Sequence, residues 1–129
     1  MIFFNLAVMF IFNMDLVDWK MKMTIPHETA VKRLAELGHS TRLAVFRLLI
    51  KAGHPGMAVG DLQRVLAVPG STLSHHISRL MAAGLVSQER QGRVLICRAE
   101  FDALKQLIDF LNEECCVGVD SILAQIEVE

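Results

Sequence analysis

Two overlapping stretches, STLSHHISRLMAAGL and LVSQERQGRVLICR, constrain this chain more than any other part of it. In the first, Leu73, Ile77, Leu80 and Met81 recur at i, i+4, i+7 and i+8, which gathers them on one side of an α-helix. The other side carries Ser71, His75, Ser78 and Arg79, with Thr72 toward its edge. The period then changes. Leu85–Glu89 and Arg93–Arg98 are β-rich runs joined by a glycine-containing turn, the pattern of a hairpin, and Arg90 and Arg93 flank its tip. Most surface helices are amphipathic, so the helix alone says little. A helix with a small, polar and basic outer face, followed directly by a hairpin with a cationic tip, says more. The first suits a DNA major groove, and the second suits backbone phosphates, where charge supplies affinity without reading sequence.

Upstream, glycine and proline punctuation marks short helices. Residues 24–37 are predicted as a first helix with Pro26 near its start; Ser40 or Thr41 caps a second that runs to about Lys51; Val59–Leu66 forms a third, ended by the AVPG turn. The fold class is therefore mainly α with a small β-hairpin, a winged helix-turn-helix. A chain of 129 residues, 53% hydrophobic and 21% charged, suits one compact domain, expected over residues 24–117. Residues 1–23 are set apart as an apolar arm or upstream extension, and residues 118–129 as an acidic tail.

The net charge of −1 looks unsuited to a nucleic-acid partner until it is divided along the chain. Residues 1–18 carry two acids and no base; residues 19–98 carry twelve Lys or Arg against four acids, or +8; residues 99–129 carry one lysine against eight acids, or −7. A basic middle with an acidic end is the asymmetry expected when one face meets phosphate and the end has another task.

The apolar stretch Met1–Asn13 has no basic residue before it and no small-x-small site after it, so it is a poor signal peptide. It is also shorter than the roughly 20 residues that span a bilayer. It reads either as an arm that packs on a partner subunit or as sequence upstream of a start at Met14, Met21 or Met23. Three cysteines, two of them adjacent, are not the framework of a disulfide-stapled secreted domain; reduced thiols in a cytoplasmic protein without membrane association are expected.

ELGHSTRLAVFRLLIKAG followed by VGDLQRVLAVPGSTLSHHISRLMAAGLVSQERQGR strongly resembles the winged-helix repressors of the ArsR/SmtB family, over about residues 28–112. The resemblance implies a homodimer, joined through its first and last helices, that binds operator DNA and releases it when an inducer binds. It places the DNA-binding set at Ser71, Thr72, Ser74, His75, Ser78 and Arg79 on the helix and at Arg90 and Arg93 on the wing. His75 and His76 look like a metal pair, but neighbours on a helix diverge by about 100°, and the family uses this position in its DNA-facing helix. Phe101, Leu104, Ile108 and Leu111, at alternating spacings of three and four, make a heptad seam that continues to Cys115 and is assigned to the dimer interface.

Cys115 alone could be a small hydrophobe in that seam. Cys116 lies about 100° further round a helix, and the pair stands just before Gly118, where a helix ends and its last turn loosens. No His follows His76, which disfavours a four-ligand zinc site. Thiolates alone favour thiophilic centres. Glu113, Glu114, Asp120 and the negative helix end are expected to raise the thiol pKa, which does not suit a nucleophile but is tolerated by trivalent arsenic arriving as a neutral hydroxide. An arsenic that already bears one carbon has two positions for sulfur; inorganic arsenite can take three. Arsenite sensors that resemble this chain often draw a third cysteine from just after the pair, and none follows Cys116. No resident cofactor is implied. The expected function is a repressor of an arsenic-resistance operon, induced when methylarsenite or a similar organoarsenical binds Cys115 and Cys116. The alternatives are an arsenite or antimonite sensor with Cys97 as third thiolate, and a thiol-redox sensor. A thiol enzyme has no support from a C-x-x-C or a cofactor loop.

Overall fold

A computed structural model describes residues 24–127. The apolar stretch Met1–Asn13 and the candidate starts at Met14, Met21 and Met23 lie outside the described residues. The chain divides into two compact units, Ile25–Leu107 and a second that among the described residues comprises Thr24 and 108–127.

In the first unit the order is α1 (His27–Leu37), α2 (Ser40–Ala52), β1 (Met57–Ala58), α3 (Val59–Leu66), α4 (Gly70–Ala82), β2 (Val86–Gln91) and β3 (Val94–Ala99). α5 (Phe101–Asn112) then begins and runs on into the second unit, which also holds α6 (Val119–Glu127). The sheet order is β1-β3-β2 and both pairings are antiparallel. The predicted hairpin is present, with Arg90 opposite Leu95 and Gln91 opposite Val94 at its tip. β1 was not foreseen. Its two residues pair as Met57 with Cys97 and Ala58 with Ile96, and two residues are too few to show an alternating pattern.

The core is what the helix periodicity demanded. Leu73, Ile77 and Leu80 of α4 are buried with Val45, Phe46 and Leu49 of α2, Leu62 of α3, and Leu85, Val86 and Cys97 of the sheet region. Met81 departs from the expectation: it is exposed, and His76 takes a place on the inner side. The cap of α2 is also corrected. His39, rather than Ser40 or Thr41, precedes its first turn, and its Nδ1 accepts from the Thr41 backbone N–H at 3.1 Å.

Two further expectations change in the second unit. α5 stops at Asn112, so Cys115 does not continue a helical seam; and the segment assigned to an acidic tail contains a nine-residue helix. That helix leaves Val119, Ile122, Leu123 and Ile126 exposed.

Gly56 explains how the turn before β1 closes on the sheet. Its φ is +73°, and a Cβ there would stand 2.3 Å from the Cys97 carbonyl oxygen, whereas a Cβ on Gly60 in α3 would meet nothing within 4 Å. Gly56→Ala is therefore expected to lower the melting temperature clearly, while Gly60→Ala gains about 0.5–1 kcal/mol from helix propensity. Thermal unfolding followed by circular dichroism checks both, and equal effects would contradict this account of the turn.

Candidate nucleic-acid interface and thiol site

α4 is built to show one side. With Leu73, Ile77 and Leu80 committed to the core, Ser71, Thr72, Ser74, His75, Ser78 and Arg79 are all exposed. The helix starts right after a turn in which Ala67 adopts a left-handed conformation, φ +52°, to end α3, and Pro69 precedes the first residue of α4. Arg90 and Arg93 are exposed at the wing tip. Arg98 braces the wing's base, donating from Nε to the His54 carbonyl at 3.0 Å and from Nη1 to Glu89 at 2.6 Å.

Arg79 is not a free groove-facing cation. Its Nε and Nη2 both donate to the Glu36 carboxylate at 2.9 Å, a bidentate pair that ties α4 to α1. Arg42 joins from α2: its Nε lies 3.1 Å from Glu36 Oε2 and donates to the Glu36 carbonyl at 2.7 Å, and its Nη1 lies 3.2 Å from His76 Nδ1. The ring of His39 stands 4.6 Å from that of His76. Three helices thus meet on one nearly buried carboxylate. The hydrogen bond from Arg79, followed by the positive charges of Arg79, Arg42 and Lys32, holds the Glu36 carboxyl below its usual range against the opposing effect of burial. Sequence reasoning passed over Glu36 and Arg42, and considered His76 only as one of a histidine pair. The available signal was an acid at the end of α1, one of four in an otherwise basic stretch of 80 residues.

His75 and His76 differ in their surroundings. His75 is exposed and His76 is buried, with ring centroids 5.9 Å apart.

The thiols separate into two kinds. Cys97 is fully enclosed on β3; burial pushes its thiol pKa up, and Gln88 Nε2 lies 3.6 Å from its sulfur. Cys115 and Cys116 are both exposed, in the turn between α5 and α6. The turn needs a left-handed residue at Cys116, φ +67°, and another at Gly118, φ +89°. Its result is that the two sulfurs stand 2.9 Å apart without being bonded. The Cys115 thiol is pushed up chiefly by its hydrogen bond with Cys116, so the neighbouring thiol, not the carboxylates expected from sequence, raises it. Among the described residues no three His, Cys, Asp or Glu side chains converge as a metal site.

Of the seam residues, Phe101 and Leu104 are half-buried, and Ile108 and Leu111 are 48% and 61% exposed. On α1, Val31 and Leu34 are also exposed.

A recognition helix displayed beside a cationic hairpin defines the class as a winged helix-turn-helix DNA-binding regulator. A family model for a helix-turn-helix domain matches residues 37–89. A helix-turn-helix transcriptional regulator of Methanocaldococcus jannaschii is 30% identical over 87 residues, covering 67% of this chain and 96% of its own. A Halobacterium salinarum protein named as an arsenical resistance operon repressor, ArsR2, is 34% identical over 64 residues, half of this chain and 53% of its own. The solved structure of an ArsR-like transcriptional regulator from Rhodococcus sp. RHA1 superimposes with a TM-score of 0.62 at 25% identity, covering 78% of this chain and 92% of that one. The chain belongs to the ArsR family of winged-helix transcriptional regulators. Among the described residues, no helix is long and apolar enough to cross a membrane.

The His76 environment predicts a pH dependence. Burial, then the positive charge of His39, Arg42, His75 and Arg79, lowers its pKa. An unfolded chain takes up a proton near pH 6.5 where the folded one resists it, so this contribution is full above pH ~6.5 and is lost as pH falls below that value toward the folded pKa. The melting temperature is expected to fall between pH ~7.5 and ~5.5 by more in the parent than in His76→Gln, which keeps an acceptor for Arg42. Equal falls would contradict the assignment.

Proposed function

We propose that the protein is a homodimeric repressor of an arsenic-resistance operon, in which Cys115 and Cys116 bind a trivalent organoarsenical such as methylarsenite and thereby weaken the hold on operator DNA. The observation that carries this reading is the sulfur pair. Adjacent cysteines on a helix diverge, but the turn at Cys116 sets the two sulfurs side by side at 2.9 Å, exposed. A centre bonded to two sulfurs at about 2.3 Å each, with an angle near 90°, holds them roughly 3.3 Å apart, so closure needs little movement.

The reaction balances without an oxidant. A methylarsenic bearing two hydroxyls condenses with two neutral thiols; two As–O bonds break, two As–S bonds form, and two water molecules leave. A raised thiol pKa does not oppose this, because no free thiolate has to accumulate first. Cys97, enclosed and hydrogen-bonded on β3, is a poor third ligand, which favours a two-sulfur inducer over inorganic arsenite. The name of the Halobacterium relative supports an arsenical connection.

Surface chemistry supports a dimer. Val31 and Leu34 on α1, and Ile108 and Leu111 on α5, are large apolar residues left in water, and a second copy would cover them. α5 begins two residues after β3 ends and stops three residues before Cys115, so it links wing and thiol turn through the chain. An arsenical that fixes the turn biases the seam, and the seam sets the spacing of two recognition helices that must meet major grooves about 34 Å apart. Coupling of ordinary size, about 1–3 kcal/mol, weakens DNA binding some 5- to 150-fold, and DNA must weaken arsenical binding by the same factor.

The test is release of an operator duplex, selected from a random-sequence pool, by methylarsenite, arsenite and a peroxide. Methylarsenite is expected to release DNA from the parent and from Cys97→Ser, and to fail with Cys115→Ser and Cys116→Ser. Loss of the response in Cys97→Ser would favour the three-thiolate reading, and release by peroxide alone would favour a redox sensor.

A further inference from the structure

An open cleft of about 630 Å³ lies between α3 and the wing. Arg64 lines it from α3, and Arg90 and Arg93 line it from the hairpin, with Asp61 the acid among its lining residues. Asp61 is one helical turn before Arg64 and forms an ion pair with it. Arg90 and Arg93 form no ion pair among the described residues. Three guanidinium groups facing one cleft with a single carboxylate leave a net positive charge of two there. The two wing arginines are already expected at phosphate, but Arg64 belongs to the helix before the recognition helix and has no role assigned by the sequence pattern.

We infer that this cleft is a phosphate clamp for the DNA backbone, that Arg64 is its third cationic contact, and that Asp61 holds Arg64 in the free protein until a phosphate displaces it. The inference rests on the DNA-binding reading and adds to it the path of one strand. The first helix of a helix-turn-helix crosses the backbone while the second enters the groove. α3 is that first helix, so a cation near its end, facing the wing across an open cleft, is placed where backbone is expected. Guanidinium is the suited group, since its planar fork matches phosphate oxygens in a bidentate contact. The Asp61 pair is worth little in water, because Arg64 is 81% exposed at its side chain, so a phosphate can replace the carboxylate at small cost. Gly60 keeps that wall of the cleft free of a side chain.

The clamp makes two predictions of opposite sign. Arg64→Gln removes one phosphate contact; it is expected to weaken binding to the selected operator and to a scrambled duplex by a similar factor, and to flatten the slope of log affinity against log salt by about 0.9 between roughly 50 and 200 mM. Asp61→Asn removes the competitor, and is expected to strengthen binding to both duplexes and leave specificity unchanged. Fluorescence anisotropy of labelled duplexes reads all four, with melting temperatures confirming that both variants fold. A silent Arg64→Gln, or an Asp61→Asn that weakens binding, overturns the clamp. Failure of the parent to bind any duplex would instead overturn the DNA-binding reading on which it rests. Inorganic phosphate and a mononucleotide, added at matched ionic strength, separate the possible sources of the anion. Competition no stronger than that of chloride supports the backbone, and strong competition by either shows a free-anion site and overturns the assignment.

Discussion

The burial of one side of α4 is the constraint on which the DNA-facing surface depends. Leu73, Ile77 and Leu80 are almost wholly removed from water among the side chains of α2, α3 and the sheet region. Each such side chain is worth about 1.5–3 kcal/mol relative to exposure, so the helix cannot rotate about its axis without losing several times that amount. The polar side is therefore presented by the energetics of the apolar one. The same sheet region that receives α4 extends into the hairpin, so groove-reading and phosphate-binding elements are held by a single core.

Glu36 adds direction to that packing. The bidentate pair from Arg79, with Arg42 bridging to His76, fixes α4 against α1 at a defined point. Glu36 is the member whose loss costs most, since it would leave the Arg42 and Arg79 guanidinium groups without a compensating charge in a nearly buried place. Arg79 is therefore tied to Glu36 while remaining exposed on the polar side of α4.

The parts legible in the sequence were those governed by long, repeated patterns. α4, the hairpin and the core residues Leu73, Ile77 and Leu80 followed from apolar periodicity and from the change of period at Leu85, and α3 from the glycine and proline punctuation around it. The rest turned on single contacts that leave no periodic trace. β1 is two residues long and exists because β3 offers an edge. His76 is buried where Arg42 reaches it, Nη1 3.2 Å from its Nδ1, and Met81 is left exposed, a distinction that apolar periodicity does not carry. The helix through Phe101 was extended too far because the heptad spacing runs on to Cys115, whereas the chain turns at Cys116 with a left-handed residue. The adjacent cysteines were visible as a pair in sequence; that they meet side by side depends on this turn.

The proposed inducer site and the DNA-facing surface make different demands on the chain. The DNA-binding surface needs rigidity and draws it from a shared core. An inducer-binding turn needs accessible sulfurs, and Cys115 and Cys116 are both exposed. The most direct test of the two-sulfur site is arsenic X-ray absorption spectroscopy of the protein loaded with methylarsenite. Two sulfur neighbours per arsenic, unchanged in Cys97→Ser, is the predicted result; three sulfurs, or a first shell that changes when Cys97 is replaced, would contradict it.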